Sequence, residues 1–246
     1  MEHMTSLADQ VAVVTGASSG IGKAVALGLA AQRATLCLVG RRLDTLGPVA
    51  ESARTKESRV LSYQTDLTLD KDIQDLAANL RRDVGFVDIL VHSAGAISHG
   101  RLENEPVENL DWQYRTNVRA IYALTQVLLP MLKSRRGQIV FVNSSAGLSA
   151  RAGVGQYAAT KHALKAIADS LREEVNADGI RVLSVFLGRT ASPMQAAVHK
   201  MEGKVYKPDQ LLQPEDVASM VIIALSLPRT AEVTDINIRP MMKPTQ

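Results

Sequence analysis

The chain is 246 residues long, 46% hydrophobic and 22% charged, with a formal net charge of +3. That charge is too small, and aromatics at 4% too few, to argue for a nucleic-acid surface of interleaved basic and aromatic residues. No apolar run reaches the ~18–20 residues of a membrane span, the single cysteine rules out an intrachain disulfide and a multi-cysteine metal site, and Met1-Glu2-His3-Met4 lacks the regions of a signal peptide, so a cytoplasmic location is expected.

From the N-terminus, Gln10-Val11-Ala12-Val13-Val14-Thr15 is a short apolar run suited to a buried parallel strand. Gly16-Ala17-Ser18-Ser19-Gly20-Ile21-Gly22 follows it, and Lys23 to Gln32 has helical composition. A strand, a glycine turn and a helix N-terminus make a pyrophosphate site, because free backbone N–H groups and the helix dipole meet the anion. The spacing is G-x-x-x-G-x-G, not the common G-x-G-x-x-G, and an ordinary glycine turn is the alternative. The second strand, Leu36-Cys37-Leu38-Val39, places Cys37 in the core and ends in Gly40-Arg41-Arg42. Glycine stands where an acid would bond the ribose of NAD, and the two arginines precede a helix, the end at which positive charge is unfavourable. They suit the 2′-phosphate of NADP, which is the expected cofactor.

Strands are expected near 11–15, 35–40, 59–64, 87–92, 138–143, 181–187 and 233–238, and helices near 21–32, 42–55, 69–82, 107–134, 156–177 and 214–227. The alternation predicts one seven-stranded parallel sheet with helices on both faces, in a single domain. Gly16, Arg41, Asp66, Ser93, Ser144 and Gly188 all follow strands, so they converge on the sheet edge where such folds bind ligands. Asn117 falls inside the long helix near 107–134, a poor place for asparagine unless something compensates. Tyr157 and Lys161 stand four apart, which puts phenol and ammonium on one helix face. A cation so placed is expected to lower the phenol pKa from about 10 toward neutrality, fitting it for proton transfer. Residues Arg189 to Gln213 form a longer connection than the usual ~2–6 residues, and Met194 to Met201 within it reads as a short amphipathic helix, either a substrate lid or a packing helix.

Thr15-Gly16-x-x-x-Gly20-Ile21-Gly22, Ser93-Ala94-Gly95, Asn117, Ser144 and Tyr157-x-x-x-Lys161 occur in the order and at the distances of the short-chain dehydrogenase/reductase family, and the chain resembles it from about Gln10 to Arg239. The resemblance implies an α/β, Rossmann-type doubly wound fold, a nicotinamide cofactor, and hydride exchange between an alcohol and a carbonyl without a metal. By resemblance, Gly16, Ser18, Ser19, Gly20, Ile21 and Gly22 hold the cofactor phosphates, and Arg41 and Arg42 select NADP. Asp66 and Leu67 meet the adenine, although Asp66 reads equally well as a helix cap. The Ala94-Gly95 pair beside Ser93 lets the backbone approach the cofactor, while Gly188, Thr190 and Ser192 reach the nicotinamide amide.

The resemblance also implies that Lys161 bonds the nicotinamide ribose and keeps Tyr157 acidic, that Ser144 (not Ser145) bonds the substrate oxygen, that Tyr157 transfers the proton, and that Asn117 supports a water path to the lysine. It implies a homotetramer built on the helices near 107–134 and 156–177; Leu124, Val127, Leu128 and Met131 there suit either that interface or a core face. Three departures stand out. His92-Ser93 replaces an asparagine pair, Leu187 replaces a proline, and the C-terminus runs Asn237-Ile238-Arg239-Pro240. His92 reads as structural. The expected activity is NADP(H)-dependent ketone or aldehyde reduction. The alternatives are a 3-oxoacyl-thioester reductase, disfavoured by Asp178 where carrier-docking members tend to be basic, and a non-catalytic cofactor sensor.

Overall fold

The computed structural model describes residues 4–54 and 58–242. The apolar runs form β1 (Val11–Thr15), β2 (Thr35–Gly40), β3 (Val60–Gln64), β4 (Ile89–His92), β5 (Gln138–Ser144), β6 (Arg181–Leu187) and β7 (Asp235–Ile238). Between and around them lie α1 (Gly20–Ala31), α2 (Leu43–Ala53), α3 (Asp70–Asp83), α4 (Val107–Tyr114), α5 (Ala120–Lys133), α6 (Gly155–Val175), α7 (Pro193–Met201) and α8 (Pro214–Leu225). All seven strands pair in parallel in the order β3-β2-β1-β4-β5-β6-β7. Parallel strands need crossover helices, which cover both faces and explain why the strands are apolar almost throughout.

Side-chain alternation sorts the strands between two cores. Ala12 and Val14 face the layer containing α1, α2 and α8, while Val11 and Val13 face the layer of α3, α5 and α6. Cys37 is fully buried in the second core, where burial pushes its thiol up to about 12 and leaves it unreactive. Leu124, Leu128 and Met131 are buried in that same core and Val127 packs against it, so the stripe considered for an interface is a core face.

Strand order reverses beside β1: the chain builds outward through β2 and β3, then returns to the other side for β4. The crossovers diverge there and leave a crevice at the carboxyl ends of the strands. The helix expected over 107–134 is interrupted. A π turn at Arg115–Arg119 separates α4 from α5, with Asn117 at its centre. The inserted residue shifts the hydrogen-bond register, which is how the fold accommodates an asparagine there.

Candidate active site

At the end of β1, Gly16 adopts a φ of 64°, and a Cβ there would lie 2.8 Å from the backbone nitrogen of Ala94. A Cβ on Gly22 would lie 2.4 Å from the carbonyl oxygen of Gly16. Only glycine fits either place. These contacts draw the first turn of α1 close under the strand ends. Ser19, preceding that helix, makes no side-chain cap, and the first turn carries no acid. Its amide groups and dipole therefore face the crevice uncompensated by a protein anion.

The crevice opens into a cleft of about 1170 Å³. Gly16, Ser18, Ser19, Gly20 and Ile21 line it, whereas Gly22 lies behind, in the packing just described. Of the two arginines, Arg41 lines the cleft; Arg42 turns outward as the residue before α2, 3.8 Å from Asp44. Asp66 and Leu67 line the same end. Asp66 Oδ1 accepts from the Thr68 backbone nitrogen at 3.0 Å and from its hydroxyl at 2.7 Å, so the carboxylate orders the turn into α3 while facing the cleft. Those bonds, with the charge of Arg41, hold its pKa below the usual carboxylate value.

Ser93, Ala94 and Gly95 form the cleft floor. They are fixed by Thr15, which the sequence placed in the glycine motif without a role: its hydroxyl accepts from the backbone nitrogens of Ser93 (3.1 Å) and Ala94 (3.2 Å) and donates to the Val91 carbonyl (3.2 Å). His92 is buried, 2.8 Å from the Thr125 hydroxyl and stacked on Phe141. Burial lowers its pKa to about 3, so it is a neutral structural imidazole at physiological pH.

Ser144, Tyr157 and Lys161 meet at the centre of the cleft. Lys161 is 5% exposed and donates to the Val142 carbonyl at 3.1 Å, with its nitrogen 5.8 Å from the centre of the Tyr157 ring. Burial lowers the ammonium from 10.5 to about 8. It raises the Tyr157 phenol from 10 to about 12, the Ser144 hydroxyl pulling weakly the other way. The expected drop of the phenol pKa toward neutrality is therefore overturned: desolvation acts on both groups, and the ammonium is directed to a backbone carbonyl. Tyr157 is protonated at neutral pH.

Asn117 does not line the cleft but supports it. Its Oδ1 accepts from the Ala96 nitrogen at 2.7 Å, and its Nδ2 donates to the Ala96 carbonyl at 2.8 Å and the Thr160 hydroxyl at 3.1 Å. Asn143 supports the other side, accepting from the Ser144 nitrogen at 2.8 Å and donating to the Lys161 carbonyl at 3.2 Å. Neither Asn143 nor Thr160 was singled out from sequence. The only available signal was a polar residue next to each reactive one.

Gly188, Thr190 and Ser192 line the far wall. Thr190 donates to the Gly188 carbonyl at 3.1 Å, and its backbone pairs with Leu212, closing the base of the 189–213 segment. Ser192 caps α7 by accepting from the Gln195 nitrogen at 3.1 Å. Of the two methionines that bound the expected lid helix, Met194 reaches the cleft and Met201 does not. Glu202, just past the helix, reaches it too.

A family profile described as short chain dehydrogenase matches residues 10–203. The chain belongs to the short-chain dehydrogenase/reductase family. An oxidoreductase of Staphylococcus epidermidis is 33% identical over 97% of this chain and all of that protein. A glycine betaine reductase of Emericella nidulans is 35% identical over 97% of this chain, which spans only 19% of that protein's length. Among solved structures, L-sorbose reductase from Gluconobacter frateurii, complexed with NADPH and L-sorbose, superposes with a TM-score of 0.88 at 28% identity, covering 98% of this chain and 99% of that one. An alcohol dehydrogenase from Thermococcus sibiricus, complexed with 5-hydroxy-NADP, gives 0.87 at 25% identity, covering 96% and 99%. This short-chain dehydrogenase/reductase is thus an oxidoreductase of a family that uses nicotinamide cofactors.

Proposed function

We propose that this oxidoreductase reduces a ketone or aldehyde with NADPH, and that it works as a homotetramer. The observation that carries the reading is the convergence, in one cleft, of a protonated Tyr157, Ser144 and Lys161 with a backbone cradle at Gly16–Gly22. The cradle fits a dinucleotide: Gly16 and Gly22 let the turn and the start of α1 pack close under the strand ends, and the uncapped N-terminus of α1 favours an anion. Arg41 lines the cleft beyond β2 with Gly40 beside it in place of an acid, which favours a 2′-phosphate. The two solved relatives bound to NADP-type cofactors support the same choice.

When bound, the nicotinamide supplies hydride to the carbonyl carbon. Ser144 donates a hydrogen bond to the carbonyl oxygen and stabilises the charge that grows there. Tyr157, held protonated by burial, gives that oxygen its proton. Lys161, which lines the same cleft, would bond the ribose of a bound nicotinamide and help to fix its position beside Tyr157. Asn117 holds the π turn, the cleft floor and Thr160 in register through its side-chain bonds to Ala96 and Thr160.

The test is oxidation of NADPH and NADH with a panel of simple ketones, aldehydes and acetoacetyl thioesters, using wild type and Arg41→Ala. Turnover with ketones or aldehydes and an NADPH preference that falls about ten- to hundred-fold in the variant is expected. Equal wild-type affinity for the two cofactors removes the NADP assignment. Turnover confined to the thioesters shifts the reading to acyl-thioester reduction.

A further inference from the structure

The substrate end of the cleft lies between two walls of different construction. One is the loop after β4, which runs through Ile97, Ser98 and His99. Several bonds brace it: Asn109 Nδ2 donates to Glu105 Oε1 at 2.8 Å and to the Ser98 hydroxyl at 3.3 Å, and Gly100 donates to the Gly153 carbonyl at 3.0 Å. The Ser98 hydroxyl also donates to Glu105. The opposite wall is α7, whose C-terminal end is tied back to the sheet through Glu202. Arg189 Nη2 donates to both Glu202 oxygens, at 2.6 and 2.8 Å, and Lys204 lies 3.7 Å away.

Among the described residues, one ion-pair or hydrogen-bond contact joins the two walls. His99 Nδ1 stands 3.6 Å from Glu202 Oε1, both side chains being mostly buried at 15% and 18% exposure. Arg189 keeps Glu202 ionised, while burial disfavours the charged form of His99. The pair is therefore a carboxylate facing a largely neutral imidazole, at a separation beyond a normal hydrogen bond. The Arg189–Glu202 bond on the same carboxylate is short and doubly accepted, so parting the walls would leave Glu202 with α7.

We propose that Glu202 and His99 form a latch across the substrate end, with Glu202 a positioning residue that sets how closely α7 approaches the loop after β4 and hence how tightly a carbonyl substrate is held. The proposal deepens the reductase reading and rests on it for its kinetic part. Glu202 and His99 stand apart from the Gly16–Gly22 turn and from Arg41, so the latch bears mainly on the substrate and only lightly on cofactor affinity.

Glu202→Gln and His99→Ala test it, with His99→Gln as the conservative rescue, since glutamine restores a donor toward Glu202. The latch predicts a KM for ketones raised about two- to ten-fold in Glu202→Gln and His99→Ala, with kcat and NADPH Kd nearly unchanged and His99→Gln near wild type. The double variant should be no worse than the poorer single one. Hydrogen exchange supplies an independent readout: amides of α7 should exchange faster in both variants while those of α1 and α6 stay as in wild type. Unchanged α7 exchange together with unchanged KM overturns the latch, as does exchange that rises throughout the chain. If wild type turns over no carbonyl compound, the reductase reading fails, and the α7 exchange pattern alone then decides the latch.

Discussion

Burial at the centre of the cleft places two side chains under opposite demands. The Lys161 ammonium is lowered from 10.5 to about 8, so below pH 8 the folded chain carries a buried charge that the unfolded chain would hydrate freely. That penalty is fully present at neutral pH and is lifted as the pH rises through 8 toward 10.5. Relative to a Lys161→Met variant, the wild type should therefore gain about 2–3 kcal/mol of unfolding free energy between pH 7 and pH 10. Parallel denaturant titrations of the two proteins measure it, and a difference independent of pH would mean that the lysine is not strained. Turnover should be lost in Lys161→Met at every pH. That Ser144, Tyr157 and Lys161 would share one cleft was legible in the sequence because five separated motifs stand in register, whereas a Y-x-x-x-K pair alone is common by chance. The parts played by Thr15, Asn143 and Thr160 were not legible, because each depends on where a hydroxyl or amide points: Thr15 to the turn after β4, Asn143 to Ser144 and Lys161, and Thr160 to Asn117.

Strands and helices followed the sequence to within a few residues because burial on both faces makes each strand a continuous apolar run. The interruption at Arg115–Arg119 was signalled by Asn117, a poor helix-interior residue, but its form was not, since a π turn has no composition of its own and is selected by what Asn117 bonds on either side. The helix within 189–213 was legible as a helix, but which side chains enter the cleft was not. Met194 lines the cleft at 41% exposure, whereas Met201, 49% exposed, lies outside it. Met194→Ala should therefore change kcat/KM unevenly across ketones of different size by about two- to ten-fold, with Met201→Ala close to wild type. The same shift in both variants, or a uniform shift for every substrate, would point to α7 as a packing element.

At the scale of the whole molecule, the doubly wound sheet places every loop after a strand at one edge, so residues as far apart as Gly16 and Ser192 share one cleft. The apolar stripe on α5 is used inside the chain, which leaves other surfaces to make the proposed tetramer. Val107, Trp112 and Tyr114 on α4 and Tyr122 on α5 remain exposed. Sedimentation at micromolar concentration should give a species near four times 26.6 kDa, and a stable monomer would remove the assembly from the account. In the proposed reaction, buried and protonated Tyr157 delivers the proton that completes carbonyl reduction. That step is tested most directly by comparing Tyr157→Phe with wild type under saturating NADPH and a ketone that the wild type reduces. The expected rate is at least about 100-fold lower, with NADPH affinity preserved within about two-fold. A variant that keeps more than about a tenth of the wild-type rate would contradict that step.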